Sequence, residues 1–298
     1  MCRRLRSVGL AWALAGALLV ACADEEPGEG TASTTSGSPT STAATSSPIG
    51  TTAPPAGGGS GGSTGTGGAT DGGAATTAAP GASGSIAPGP VGGLAAALLR
   101  PGHGDRIVVE VRAQAGAEPR TATLDHLLGV LRDVSKKSVS LDGIDALSGG
   151  AQQWTAGSIA RAADAGAAYT QGGNQVVLRL LFVHGTFEGD DSVLGVAIRG
   201  DVAAVFTDQV DAAGGLIVSS ADVEDAVTLH EAGHLLGLVD LVLDTGRDDA
   251  SHPGHSTNQD SVMYWAVESD LIGQVLGGGV PTELDAQDRA DLSQIRAG

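Results

Sequence analysis

The chain has 298 residues, 41% of them apolar, and a formal charge of −18 at neutral pH. Only Arg3, Arg4 and Arg6 of its basic residues precede residue 91, whereas most acids follow it, so the acidity belongs to the C-terminal part and excludes nucleic acid as a natural partner. The two cysteines, Cys2 and Cys22, both lie near the start, so no disulfide framework staples the rest and its stability must come from an apolar core.

In chain order, the three arginines form a positive n-region and residues 8–21 an apolar run. The run is too short to span a bilayer and carries the flanks of a signal peptide. It ends Leu19-Val20-Ala21-Cys22, which resembles the lipobox of bacterial lipoproteins. The resemblance implies cleavage after residue 21 and diacylation of the Cys22 thiol. A protein so processed is lipid-anchored in the bacterial cell envelope, on the extracytoplasmic side, at the cell surface or in the periplasm. Residues 22–90 then comprise the lipidated cysteine and a Gly/Ser/Thr/Ala/Pro linker with almost nothing bulky to bury, expected to be a disordered tether reaching on the order of 45 Å. Residues 91–298 are long enough for one domain with its own core, expected to be a monomer.

Within that domain "RIVVEVRAQ" (106–114) is β-branched and predicts a strand. Leu124, Leu127, Leu128, Leu131 and Val134 repeat at helical spacing over 121–137, with Thr121 or Thr123 available as a cap. Residues 137–143 predict a second strand and 155–168 a short helix. "QVVLRLLFVHG" (175–185) is almost continuously apolar, which predicts a central strand buried on both faces. Strands follow at 192–200 and 203–210. A helix then runs through "SADVEDAVTLHEAGHLLGLV", capped by Ser220 or Asp222, with Asp222, Glu224 and Asp225 as acids near its N-terminus. Pro281 and Thr282 mark the start of a last helix over 281–297, with Asp285 in its cap region. The fold class is α+β, with α/β-like order: strands mixed with helices, then one helix carrying the chemistry.

That chemistry lies in "TLHEAGHLLGLVD" (228–240). On a helix, residues i and i+4 share a face, so His230 and His234 can hold one zinc ion through their ring nitrogens. Glu231 is turned roughly 100° from His230, beside the metal rather than on it, where a carboxylate can take a proton from water. A catalytic zinc takes three protein ligands and keeps a fourth place open. Gly237 can end the helix and let the chain turn, so that Asp240 returns to the metal as an oxygen ligand. "SHPGHSTN" offers His255 or His252 as the alternative third ligand, provided that the loop 241–251 folds back. His103, His126 and His184 have no comparable context.

Further on, "STNQDSVMYW" (256–265) sets Met263 in a turn-like stretch. HExxHxxGxxD followed by S-x-M-Y resembles the metzincin clan of zinc metallopeptidases. The matching residues are His230, Glu231, His234, Gly237 and Met263. The resemblance covers roughly 105–297 and is motif-grade over 228–265. It implies a mixed twisted sheet with an edge strand, here "SVLGVAIRG", an active-site helix, a methionine turn (Met-turn) flooring the metal, and a C-terminal helix. Most of the clan carries histidine at the position of Asp240, and snapalysin-like enzymes carry aspartate. A carboxylate there would leave the metal a weaker Lewis acid. Some members carry a metal-ligating tyrosine two positions after the methionine. Trp265 stands at that position and cannot ligate.

The expected function is therefore a lipid-anchored, zinc-dependent endopeptidase acting on protein or peptide substrates. The alternative is a surface-anchored, non-catalytic zinc-binding protein on the same scaffold.

Overall fold

The computed structural model describes residues 86–215, 218–270, 272 and 279–298, all within one compact unit spanning 74–298. The expected signal segment, Cys22 and the linker up to residue 85 lie outside the described residues, as does most of 271–278. Among the described residues no helix is long and apolar enough to cross a membrane.

A five-stranded sheet forms the centre of the unit, in the order β2 (Ser138–Ala146), β1 (Arg106–Ala113), β4 (Gln175–Val183), β7 (Val202–Phe206), β6 (Gly195–Arg199). The first four are parallel, and β6 alone runs antiparallel, at the edge. The antiparallel direction follows from the short β6–β7 connection, since Gly200 and Asp201 leave room only for a hairpin turn. Strand β4 lies in the middle, and every residue after Gln175 is buried, which accounts for its nearly unbroken apolar sequence.

Side chains alternate across β4. Val176, Leu178, Leu180 and Phe182 join the main core with residues of α1 (Ala95–Leu99), α2 (Thr121–Ser135), α5 (Ser220–Leu235) and α6 (Ala286–Ala297). Leu181 and Val183 join Trp154 with Ile159 and Ala163 of α3 (Ala156–Ala165) on the opposite face. The opposite face also holds a buried ionic ladder. Arg179 of β4 reaches Glu110 of β1 at 2.8 Å and Asp201 of the β6–β7 turn at 2.5 Å.

Several boundaries differ from the sequence reading. No side chain caps α2: its N-cap is Arg120, and the Thr123 hydroxyl instead donates to Glu224 at 2.8 Å. Strand β7 stops at Phe206, where Thr207 opens α4 (Thr207–Ala213), and Asp208 of that helix accepts the Gly185 N–H of the segment after β4. The cap of α5 is Ser219, whose hydroxyl accepts from Asp222 N–H. Helix α6 starts at Ala286, where Asp285 and Asp288 form a reciprocal capping box, rather than at Pro281. Glu224 and Asp225 do more than complement the dipole of α5. Glu224 binds the Arg120 guanidinium and Asp225 the His126 ring, which docks α2 onto α5. A parallel pair, β3 (Gln152–Trp154) with β5 (Gly185–Phe187), and a hairpin, β8 (Asp248–Asp249) with β9 (His252–Ser256), complete the fold.

Candidate metal centre

Helix α5 is buried on nearly all sides from Val223 onward, so its polar side chains are held inside the molecule rather than on a solvated stripe. His230 is fully buried and its Nδ1 stands 2.7 Å from the Val262 carbonyl. A carbonyl can only accept, so Nδ1 carries the hydrogen and Nε2 presents a lone pair. One turn on, His234 Nε2 lies 3.1 Å from His230 Nε2, with the rings edge to face.

The third imidazole is His255, not a residue of the helix. It sits on β9, and its Nδ1 faces the His252 carbonyl at 3.2 Å, so its Nε2 is again free to point inward. Its ring stacks on His230 with centroids 5.2 Å apart. His230, His234, His255 and Glu268 form one group whose ligand atoms all lie within 4.8 Å of one another. Glu268 ends a single 3-10 turn, Trp265–Glu268. Its carboxylate lies 3.0 Å from His255 Nε2 and 3.6 Å from His230 Nε2.

These donors suit a metal ion. At least two imidazoles turn lone pairs toward a common buried point, an arrangement that repels itself unless a cation sits between them. Burial and the neighbouring His230 push the His234 pKa well down, favouring the neutral, ligating form. Burial also opposes the charge on His255, but the Glu268 carboxylate outweighs it and the pKa rises. Burial would raise Glu268, yet the His230 and His255 rings facing its carboxylate hold it far below the usual carboxylate range.

Asp240 is placed elsewhere. Its carboxylate accepts from Thr245 N–H at 2.7 Å, from the Thr245 hydroxyl at 2.6 Å and from Asp248 N–H at 3.3 Å. Gly237 does end the helix, with φ +85°, and a Cβ there would meet Val242 and Ala95 at 2.5 and 2.8 Å. Val239 and Asp240 then both adopt left-handed backbone, with φ 52° and 58°, and turn the chain into the 241–251 loop instead of back onto the metal group. The Asp240 side chain braces that loop, and the β8–β9 hairpin returns the chain at His255. His252 is outside the group too. Its ring stacks on Trp265 with centroids 4.3 Å apart, and Asp249 holds its Nδ1.

Glu231 is fully buried beside the group but not part of it. Neither carboxylate oxygen has a regular hydrogen bond. Burial and the Glu268 charge push its pKa well up, with the Ala197 backbone opposing weakly. The edge strand presses directly on it: a Cβ added to Gly195 would come within 2.6 Å of Glu231 Oε1 and 2.7 Å of Val227 Cγ1.

Met263 is fully buried below the helix, so close that a Cβ on Gly233 would meet its Sδ at 2.3 Å. Its turn is fixed by the Tyr264 N–H donating to the Ser261 carbonyl and by the Met263 N–H donating to Ser261 Oγ. Ser261 Oγ donates to the buried Asp288 of α6, which also meets Arg247 of the loop. Glu268, Asp288 and Arg247 were not singled out in the sequence, because no local spacing marks them. Glu268 lies five residues after Met263, a hint visible only once that turn is known.

Comparison of the sequence with protein-family profiles and with curated proteins returns no match. Among solved structures, the chain is similar to an archaemetzincin from Archaeoglobus fulgidus, crystallised with malonate. The identity is 14%, over 62% of this chain and 98% of that one, with a TM-score of 0.36. It is also similar to an archaemetzincin from Methanopyrus kandleri, at 15% identity over 65% and 97%, with a TM-score of 0.43.

Proposed function

We propose that this chain is a zinc-dependent endopeptidase of metzincin type. The observation that carries the reading is the convergence of His230, His234 and His255 around one buried point, beside a buried carboxylate, Glu231, that no regular hydrogen bond satisfies. Three imidazoles are a donor set for catalytic zinc, and Glu231 has no evident structural use where it stands. Zinc, when bound, would supply a Lewis acid that polarises the scissile carbonyl and acidifies water.

The chain's own residues do the rest. Val262 and His252 fix the orientation of two ligands through their carbonyls. Glu231 takes a proton from the attacking water as its oxygen joins the carbonyl carbon, then passes that proton to the leaving amine as the C–N bond breaks. Strand β6 is the last strand of the sheet, with four of its five residues half-buried, and an extended peptide could pair with its backbone. We further propose that Cys22 carries a lipid and that the domain works outside the cytoplasmic membrane. The lipobox-like sequence supports this part of the reading.

The test uses purified protein, parent and Glu231→Gln, with zinc counted per chain and cleavage of casein followed with and without a chelator. The expected result is about one zinc in both proteins. Casein cleavage in the parent should be abolished by the chelator, and Glu231→Gln should lower it by at least ~100-fold. Parent-rate cleavage by Glu231→Gln would remove the proposed general base. The second reading, a non-catalytic zinc protein, draws on Glu268, which makes the group four-membered, as in closed structural sites. Stoichiometric zinc without cleavage of any unfolded protein would favour it.

A further inference from the structure

Resting on the zinc peptidase reading, we infer that Glu268 is a fourth protein donor to the same centre and closes it from the cleft side until substrate displaces it. The separations carry the argument. Four donors about 2.0–2.1 Å from a tetrahedral zinc stand roughly 3.4 Å apart. His230 Nε2 and His234 Nε2 stand 3.1 Å apart, one Glu268 oxygen lies 3.0 Å from His255 Nε2, the other lies 3.6 Å from His230 Nε2, and the four donors all fall within 4.8 Å of one another. Glu268 therefore stands among the donors, facing the Nε2 atoms that would hold the metal, rather than at an outer position behind a histidine's Nδ1 from which it would merely orient the ring.

Its surroundings explain why this corner is the one that opens. The three histidines are almost fully buried, whereas the Glu268 side chain is 30% exposed. It borders a cleft of about 290 Å³ walled by Val193, His252, Pro253 and Trp265. The Glu268 backbone is anchored to the segment entering β6. Its carbonyl accepts the Leu194 N–H at 2.9 Å, and Val193 bridges Ser269 next to it. The main chain is thus fixed while the carboxylate lies between the buried histidines and the cleft. A peptide entering along β6 meets this carboxylate before it meets the metal. Rotation of the Glu268 side chain into the cleft would leave three histidines and the open place that hydrolysis requires. The gate needs no movement of a loop or domain.

The experiment uses the full chain as parent, Glu268→Gln and Glu268→Ala, with zinc affinity measured by chelator competition. Each protein is also loaded with cobalt(II) and titrated with azide, following the visible absorption. A fourth protein donor predicts zinc binding weakened roughly 10- to 100-fold in both variants. It also predicts an azide-dependent spectral change that is large in Glu268→Ala and small or absent in the parent. The glutamine variant keeps the size of the side chain, so a shared loss with alanine is assigned to the carboxylate and not to packing. Equal zinc affinity and equal azide response in all three proteins would overturn the inference while leaving the peptidase reading intact. A parent that binds no zinc would instead overturn the peptidase reading itself.

Discussion

At the scale of single residues, a carboxylate and a histidine divide work that their positions along the chain do not reveal. Asp240 carries three hydrogen bonds that hold the 241–251 loop, and His255 contributes the third imidazole. Their substitution should separate the two jobs. Asp240→Ala removes the acceptor for Thr245 and Asp248 and should cost about 1–3 kcal/mol in stability, read from denaturant midpoints. Its zinc content should stay near one per chain. His255→Ala should lose zinc and activity with a smaller stability cost in the metal-free state. If Asp240→Ala loses zinc while His255→Ala keeps it, the assignment of the third ligand is reversed. The spacing from Gly237 made Asp240 an attractive ligand, because a chain turning there can swing a residue three positions on back over the helix end. Successive left-handed residues at Val239 and Asp240 sent it the other way. Backbone conformation at two non-glycine positions is a product of the whole loop and leaves no mark in the residue pattern. His230, Glu231 and His234 were legible for the opposite reason: their relation is set within one helical turn, which needs no tertiary information.

At the scale of elements, the position of Glu231 depends on how closely β6 lies on α5. The contact is tightest at Gly195, where no side chain intervenes between the strand and Glu231 or Val227. The Gly195→Ala methyl group would have to displace the Glu231 carboxylate, move Val227, or lift the strand from the helix. The Val227 side chain is stiff and Glu231 is fully enclosed, so neither yields freely. We expect a stability loss of about 1–3 kcal/mol and a fall in kcat on the order of 100-fold, with zinc content unchanged. Parent-like kcat in this variant would show that the position of Glu231 is not set by the edge strand. Here the sequence was legible in part. The run "SVLGVAIRG" reads as a strand, and the short connection to the next run explains its antiparallel place at the edge. That the glycine within it serves close approach became visible only when the helix was set beside it. Strand β7 and helix α6 show the same limit. Their apolar patterns were readable, but β7 gives way to α4 at Thr207, and α6 begins at the Asp285–Asp288 box, where side chains take up backbone groups.

At the scale of the whole molecule, the unit has no disulfide, and its strands are tied across the sheet by charge as well as by apolar packing. Arg179 lies between Glu110 and Asp201, so the ladder joins β1, β4 and the β6–β7 turn on the face opposite α5. Glu110 also accepts the N–H groups of Ala168 and Tyr169, and Arg179 donates to the Tyr169 carbonyl, which fastens the segment after α3 to the sheet. A buried pair of this kind contributes little over an apolar replacement of both partners, because desolvation offsets much of the attraction. Removing one partner is a different matter. Arg179→Leu leaves Glu110 buried without its cation and Asp201 with Arg199 alone, and should destabilise the fold by about 3–5 kcal/mol. The edge strand that presses on Glu231 is continuous with the turn that carries Asp201, so the loss should be felt at the metal centre as well. Unfolding of Arg179→Leu, followed at once by far-ultraviolet circular dichroism and by zinc release, should show both signals moving together to lower denaturant. If zinc release keeps the parent midpoint while the sheet melts early, the metal centre does not depend on the ladder and is held by α5, the hairpin and the Met-turn alone.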